Sequence, residues 1–320
     1  MKRTCLELNT DEQNICEFHL DDNSFNERPF DQKDIQHVKI SVKMKNLIYT
    51  LIVCMALLSC ETQSPSIPSI LKENSRQLPE ITKILFIGNS HTNRNDIPGT
   101  IQMMATSAGD STYSHNETQP GYTLANHSVR EATLKTIDSL EWDFVILQEQ
   151  GGTQAIPGFM IDTAVYKYAD ILIDAIKRNN SHTKIILYMT HAYEEGVLSF
   201  NDTTWAKNEP LVSTYRGMQD RIRENNIAMA EWFNVEVSPA GVMWKIFADS
   251  YPEVNLFNSD EIHPLPNGSY LLACAIYSSI YTKSPVGKFI PANVNKEEGV
   301  AMQNLVYQSL FKGKPDWKTY

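Results

Sequence analysis

The stretch that decides the fold reads KILFIGNS, from Lys83 to Ser90. Its apolar residues are typical of a strand buried in a parallel sheet, and the Gly-Asn pair that follows them indicates a tight turn. Such a turn leaves the Ser90 hydroxyl at the carboxyl edge of the sheet, where open α/β sheets bind their ligands. Ser90 therefore has two interpretations, a reactive hydroxyl or an ordinary cap of the next helix.

Strands and helices alternate along the chain after this first strand. Further strands are predicted over residues 111–115, 142–147, 184–190 and 234–238, and helices over residues 96–108, 129–140, 160–177, 209–233 and 266–281. The strands are short and apolar, whereas the helical segments carry apolar residues at intervals of three and four. This alternation predicts an α/β fold class with three α/β/α layers, in which right-handed crossovers join a parallel sheet of about five strands.

The N-terminal region carries a targeting pattern. Residues 44–60 combine a short basic start, a compact apolar run and small residues before Cys60, and they resemble a bacterial lipoprotein signal peptide. The resemblance implies that Cys60 is lipidated and that the protein is exported and lipid-anchored to the bacterial envelope. An uncleaved anchor is the alternative, although the apolar run is shorter than the roughly 20 residues of a membrane span. Residues 1–43 are then interpreted as a non-native extension, with Met44 as the true start.

The rest of the chain divides into three regions. Residues 61–80 are rich in Ser and Pro and predict a flexible tether. The main folded domain is expected over residues 81–284. Residues 285–320 contain Lys and Pro and are predicted to form an irregular C-terminal extension that packs on the domain.

Charge and cysteine content exclude several classes of function. The net charge of -10, without a Lys/Arg cluster, argues against a nucleic-acid partner. Once the leader is removed and Cys60 is lipidated, only Cys274 remains as a free thiol, so no intramolecular disulfide can form. We expect no metal and no cofactor, because no Cys/His spacing matches a zinc site and the glycine-rich nucleotide-binding motifs are absent.

A second motif stands far down the chain, where Asp260 and His263 are three residues apart. Side chains at this spacing share one face of a helical turn. A carboxylate so placed can orient an imidazole, whose other ring nitrogen then takes the proton of a serine hydroxyl. Taken alone, the pair could equally cap a helix. Together with Ser90, it favours a serine hydrolase.

These motifs together resemble the SGNH, or GDSL-like, hydrolase superfamily over about residues 82–284. The family's Gly-Asp-Ser motif is matched by Gly-Asn-Ser at residues 88–90, and its Asp-x-x-His-Pro motif by residues 260–264. The resemblance implies a flavodoxin-like α/β/α fold. The catalytic roles that it implies are nucleophile for Ser90, orienting acid for Asp260 and base for His263.

The family also stabilises the oxyanion with a glycine N–H and an asparagine amide. Gly121 matches the glycine. The asparagine motif is absent, and Gln150 stands in its place when counted from the end of the preceding strand, with Gln148 as the alternative. Substrate contacts are predicted for Asn89, Gln148 and His191. For His191 a structural, hydrogen-bonded role is the alternative interpretation.

The function expected from these features is hydrolysis of ester bonds by a Ser-His-Asp triad. An exported, lipid-anchored member of this kind is expected to act on O-acetyl groups of carbohydrates or related small-molecule or polysaccharide esters, and to touch the membrane only through its anchor. Two alternatives stay open. One is a surface-tethered glycan-binding protein on an inactive hydrolase scaffold, and the other is a lipase or thioesterase.

Overall fold

A parallel sheet forms the centre of the protein in the computed structural model, which describes residues 67–197 and 209–320. The predicted extension 1–43 and the predicted signal peptide with Cys60 lie outside the described residues. The strands are β1 (Ile81–Gly88), β2 (Ser111–Thr118), β3 (Phe144–Leu147), β4 (Lys184–Tyr188) and β5 (Glu236–Ser238). Their order in the sheet is β2-β1-β3-β4-β5, and each neighbouring pair is parallel.

Helices connect and cover these strands. In chain order the described α-helices are α1 (Ser90–Asn93), α2 (Ile97–Ser107), α3 (Leu124–Val129), α4 (Glu131–Asp138), α5 (Gly151–Gln154), α6 (Gly158–Ile161), α7 (Lys167–Asn179), α8 (Tyr215–Phe233), α9 (Ala240–Ser250), α10 (Pro266–Tyr281) and α11 (Lys296–Lys312). Short 3₁₀ segments at Arg94–Asp96 and Pro210–Ser213 precede α2 and α8, and a π-helical turn at Asp162–Tyr166 precedes α7.

The helices form two layers around the sheet. On one face α3 and α4 contact α7, whereas on the other α2 contacts α10, and α9 and α11 pack against α10. Residues 84–87 of β1 are fully buried between these layers. A strand covered on both faces needs apolar side chains in both directions, which is why β1 shows an unbroken apolar run. The predicted three-layer α/β/α fold with five parallel strands is confirmed.

Helix α10 has the bounds that the sequence predicts. It begins with Pro266 at its first position, where the missing N–H costs nothing. Residues 268–281 are all buried, because the helix lies between the sheet and α11. This helix follows the Asp260–His263 motif directly and therefore anchors that motif to the core.

Two of the long helices were not expected. Helix α9 is buried on every side over residues 240–247, and its one charged residue in that range, Lys245, is also buried, in an ion pair with Asp220. A segment without an exposed polar face lacks the helical periodicity by which a helix is recognised. Helix α11 lies in the 285–320 extension, which was predicted to be irregular. Asn295 caps its first turn by accepting from the Glu298 N–H at 3.0 Å. The extension does pack on the domain, through contacts with α9 and α10.

The described part of the predicted tether is also part of the domain. In residues 67–80, the Leu71 N–H donates to the Leu310 carbonyl at 2.7 Å, and Arg76 forms a 2.6 Å ion pair with Glu236 of β5. These contacts correct the prediction of flexibility for residues 67–80. Among the described residues, no helix has the length and apolar character needed to cross a membrane.

Candidate active site

The turn after β1 presents Ser90 at the carboxyl edge of the sheet. Strand β1 ends at Gly88, Asn89 is the N-cap of α1, and Ser90 is the first residue of that helix. A Cβ at position 88 would lie 2.5 Å from Gln148 Oε1, so only glycine allows this approach. The Gly88 carbonyl accepts a hydrogen bond from His127 Nε2 at 2.8 Å, which holds the turn from the other side.

Ser90, His263 and Asp260 form one hydrogen-bonded chain. His263 Nδ1 lies 2.7 Å from Asp260 Oδ2, and His263 Nε2 lies 2.7 Å from Ser90 Oγ. An ionised carboxylate can only accept, so Nδ1 carries the proton and Nε2 is left to accept from the Ser90 hydroxyl. The structure thus brings together three residues that are up to 173 positions apart in the chain.

The loop before α10 fixes the carboxylate of this chain. Asp260 Oδ1 accepts from the backbone N–H groups of Ile262 at 3.1 Å and His263 at 2.9 Å. Partial burial of Asp260 acts to raise its pKa, but the hydrogen bonds from the His263 backbone, the His263 ring and the Ile262 backbone outweigh it and lower the pKa to about 2. The carboxylate is therefore ionised at neutral pH and favours a positive charge on the imidazole.

A cavity of about 550 Å³ opens beside Ser90. Its lining includes Ser90, His263, Gly121 and Gln150, together with Tyr193. The two residues predicted for the oxyanion site therefore face the same space as the Ser90 hydroxyl. Gly121 has a φ of 71°, a left-handed conformation that glycine adopts without strain. No hydrogen bond among the described residues uses the backbone N–H of Ser90 or Gly121.

The amide of Gln150 is held in place from both ends. Its Oε1 accepts from the Thr153 N–H at 2.9 Å, and its Nε2 donates to Tyr193 Oη at 3.0 Å. Tyr193 Oη also accepts from the Gly152 N–H at 2.8 Å. An amide nitrogen carries two protons, so Nε2 keeps one donor beyond its bond to Tyr193.

The sequence predicts substrate contacts for Asn89, Gln148 and His191; in the structure Asn89 belongs to the cavity wall, whereas Gln148 and His191 do not. Asn89 is 1% exposed; its Nδ2 donates to the Tyr122 carbonyl at 2.8 Å, although the residue reaches the cavity wall. Gln148 is fully buried, and its Oε1 accepts from the Asn89 N–H at 2.8 Å. Gln148 Oε1 also accepts from the Thr92 hydroxyl, so this oxygen holds the turn that carries Ser90.

His191 is also fully buried. Its Nε2 donates to the Ile262 carbonyl at 2.8 Å, and its ring stacks on Trp244 with centroids 4.0 Å apart. Burial lowers the pKa of His191 to about 4, so the ring is neutral at neutral pH. His191 therefore supports the residue next to His263, which is the structural alternative that the sequence left open.

His91 fills the space between these two histidines. Its ring centroid lies 5.4 Å from that of His263 and 5.1 Å from that of His191. Burial, followed by the nearby charges of His191 and His263, lowers the pKa of His91 well below its usual range. A neutral His91 adds no positive charge beside an imidazolium at His263.

A buried carboxyl joins the two loops of the predicted oxyanion site. Glu149 Oε1 accepts from the Gln150 N–H at 2.6 Å, and Oε2 accepts from the Leu124 N–H at 3.1 Å. Leu124 begins the helix after the Gly121 loop. Burial raises the pKa of Glu149 to about 8, although both N–H groups favour its ionised form.

Sequence reasoning missed Tyr193 and Glu149. Tyr193 comes five residues after the end of β4, so its place near the carboxyl edge was a usable signal. Glu149 carried no such signal, because a glutamate after a strand is commonly exposed to solvent. Within the described ranges, no group of three or more His, Cys, Asp or Glu side chains is arranged to hold a metal ion.

No protein-family model matches the chain, and no curated protein matches it either. Among solved structures, a DUF4886 family protein from Bacteroides uniformis aligns with a TM-score of 0.60 and 16% identity over 71% of this chain and 94% of that one. This similarity shows a shared fold.

Solved structures of SGNH and GDSL-like hydrolases also match. A candidate SGNH hydrolase from Slackia heliotrinireducens aligns with a TM-score of 0.46 and 24% identity over 62% of this chain and 99% of that one. A catalytic mutant of an acetylxylan esterase from Geobacillus stearothermophilus aligns with a TM-score of 0.43 and 16% identity, over 62% of this chain and 94% of that one. Scores below 0.5 at these identities say nothing about activity.

Proposed function

We propose that this protein is a serine esterase of the SGNH type. The observation that carries the proposal is the hydrogen-bonded chain from Ser90 Oγ through His263 to Asp260, with both distances at 2.7 Å. A serine that only caps a helix has no need of an oriented imidazole on its hydroxyl. The chain is the arrangement that makes a serine oxygen nucleophilic.

The proposed reaction proceeds in two halves. His263 Nε2 takes the hydroxyl proton as Ser90 Oγ attacks the ester carbonyl, and the ionised Asp260 stabilises the resulting imidazolium. The imidazolium then protonates the leaving alkoxide as the C–O bond breaks, which leaves an acyl-serine. Water, deprotonated by the same imidazole, hydrolyses that acyl-serine and restores Ser90.

The oxyanion is proposed to bind three donors that face the cavity. These are the backbone N–H groups of Ser90 and Gly121 and the Gln150 amide. Gln150 is one methylene longer than the asparagine of the family pattern, and its bonds to Thr153 and Tyr193 supply the rigidity that such a donor needs. Removal of the Gln150 amide is expected to lower kcat by about 10²-fold.

A short acyl group on a polar alcohol is the substrate class that we favour. Ten of the thirteen residues that line the cavity have polar side chains: Asn89, Ser90, His91, Asn93, Arg94, Asn95, Thr118, Gln150, Tyr193 and His263. A lipase or thioesterase needs an apolar surface for a long acyl chain. The polar wall, together with the predicted export, supports O-acetyl groups of carbohydrates.

The first test is labelling with a fluorophosphonate probe followed by peptide mass spectrometry. We expect an adduct on Ser90 that is lost in Ser90→Ala and in His263→Ala. Ser181→Ala and His182→Ala are matched controls, because these two residues are exposed in the turn before β4, at the opposite edge of the sheet. An unlabelled but folded protein contradicts the esterase proposal and favours a binding scaffold.

The second test is a chain-length series of 4-nitrophenyl esters. We expect kcat/KM to be highest for acetate and to fall for longer acyl groups, because Pro120 and Ile262 are the only lining residues in the described part of the chain with aliphatic side chains. In an apolar acyl pocket, each additional CH₂ would instead gain about 0.8 kcal/mol of binding from burial. A maximum of kcat/KM at eight or more carbons would therefore contradict the acetyl proposal and favour a lipase.

Export and lipid anchoring through Cys60 are also part of the proposal, since the signal pattern precedes the described residues. Metabolic labelling with a fatty-acid analogue tests it. We expect the label to appear on the protein and to be lost in Cys60→Ala. Labelling that survives this change, or none at all, contradicts the anchor.

A further inference from the structure

One cation lines the cavity beside the nucleophile. Arg94 contributes to the wall, four residues after Ser90, and no Asp or Glu is among the described residues that form this wall. The whole chain has a net charge of -10. The positive charge of Arg94 in this wall is therefore opposite in sign to the net charge of the molecule.

The guanidinium of Arg94 has no carboxylate partner among the described residues. Arg76, Arg130, Arg216, Arg221 and Arg223 each form an ion pair, with Glu236, Glu117, Asp249, Glu209 and Asp220 respectively. Of the described arginines, only Arg94 and Arg178 form none. Arg178 is exposed at the end of α7, just before β4, so it lies at the sheet edge opposite the cavity.

The backbone around Arg94 is fixed rather than loose. The Arg94 N–H donates to the Ser90 carbonyl and closes the turn of α1. The next two residues, Asn95 and Asp96, both have left-handed φ values, 53° and 52°. Non-glycine residues rarely adopt this conformation, and it persists only where surrounding contacts enforce it.

Those contacts connect the strained turn to the catalytic histidine. Asn95 Nδ2 donates to the Pro264 carbonyl at 3.0 Å and to Ser269 Oγ at 2.8 Å. Pro264 is the residue after His263. The turn that carries Arg94 is therefore tied at one end to Ser90 and at the other to the loop of the base, so the position of Arg94 is set relative to the reacting atoms.

We propose that Arg94 is a specificity residue that binds an anionic oxygen group, such as a carboxylate, on the alcohol or acyl part of the ester. The planar guanidinium matches a carboxylate through two parallel hydrogen bonds. The substrate class becomes anionic esters, for example an acetylated sugar acid. This inference rests on the proposed esterase function and adds a charge requirement to it.

Paired aryl acetates test the inference on the full-length protein. The anionic substrates are 3- and 4-acetoxybenzoate, which are ionised at neutral pH, and the neutral partners are the matching acetoxybenzamides. The quantity measured is the ratio of kcat/KM for the anionic ester to kcat/KM for its neutral partner. Comparing this ratio between variants cancels the difference in leaving-group reactivity between the two esters.

We expect Arg94→Gln to lower the ratio on the order of tenfold. This value lies between the few-fold effect of losing an exposed ion pair and the larger effect of losing a hydrogen bond to a charged group. Arg94→Lys keeps the charge without the planar fork and is expected to lose less. Arg178→Gln removes the same charge at the opposite edge and is expected to keep the wild-type ratio. Fluorophosphonate labelling of Ser90 in each variant shows that the site is folded.

The outcomes separate this inference from the function beneath it. A wild-type protein that hydrolyses both esters, with a ratio that Arg94→Gln does not change, overturns the anion site and leaves the esterase standing. An equal fall of the ratio in Arg178→Gln also overturns it, because the effect is then one of net charge. If the esterase proposal itself is wrong, the probe does not label Ser90 and the wild-type protein hydrolyses neither ester.

Discussion

The buried carboxyl of Glu149 is expected to make the protein less stable as the pH rises. In the unfolded chain this group ionises near its ordinary pKa of 4.5, whereas in the folded protein burial raises the pKa to about 8. Between these values the folded state holds a proton that the unfolded state has released, so stability falls with increasing pH. From 4.5 to about 8, at about 1.4 kcal/mol per pH unit, the loss reaches ~5 kcal/mol.

The variant Glu149→Gln removes this ionisation and keeps one acceptor oxygen. Glutamine cannot accept from both Gln150 and Leu124 as the carboxyl does, so the variant is expected to start with an offset in stability. That offset does not depend on pH. The difference in unfolding free energy, variant minus wild type, should therefore rise by about 1.4 kcal/mol per pH unit between pH 5 and 7.5.

Urea unfolding of both proteins across this pH range measures the difference directly. Groups that titrate in both proteins cancel, including the buried histidines of the site. A difference that stays flat from pH 5 to pH 8 refutes the reasoning, because it means that Glu149 ionises near its ordinary pKa and is solvated or otherwise compensated.

Two further predictions concern Asp260 and the buried His191, whose Nε2 donates to the Ile262 carbonyl. In Asp260→Asn, Oδ1 can still accept from the backbone, but the new amide faces His263 Nδ1 and forces the imidazole proton onto Nε2. Nε2 then cannot accept the Ser90 proton, so kcat with 4-nitrophenyl acetate should fall by about 10³- to 10⁴-fold. A fall of less than tenfold in a folded variant contradicts the proposed orientation. Burial lowers the pKa of His191 from 6.5 to about 4, so between these pH values the unfolded state binds a proton there that the folded state does not. The free energy of unfolding should therefore fall by ~3 kcal/mol as the pH drops from 6.5 to 4. Urea unfolding of His191→Phe should show a smaller fall than wild type over this range, and an identical fall excludes His191 as its source.

The elements that the sequence predicts best are those whose pattern is local and strong. The apolar run of β1 and the proline start of α10 define these elements without help from the rest of the chain. The same holds for the proposed catalytic residues, since short local motifs single out Ser90 and the Asp260–His263 pair. Both motifs follow or precede well-patterned elements, and the topology of a parallel sheet brings them to one edge.

Helices α9 and α11 were missed for opposite reasons. Helix α9 is buried on all sides over residues 240–247, Lys245 included, so this part of its sequence shows no exposed polar face. Helix α11 begins after a proline-containing, charged stretch that is typical of irregular structure, and its stability comes from packing on α10 and α9. In both cases the deciding contacts are made with segments distant in the chain.

The sequence by itself predicted the order of strands and helices along the chain, and its motifs indicated Ser90, His263 and Asp260 as candidates for the nucleophile, the base and the orienting carboxylate. Tertiary structure alone decided which polar side chains reach the cavity. Gln148 and Gln150 are two residues apart, yet Gln148 is fully buried under the nucleophile turn while Gln150 lines the cavity. The physical reason is that the direction of a side chain beyond a strand end depends on the partners that satisfy its hydrogen bonds. Those partners, such as Tyr193 for Gln150 and Asn89 for Gln148, come from the segments that follow other strands of the sheet.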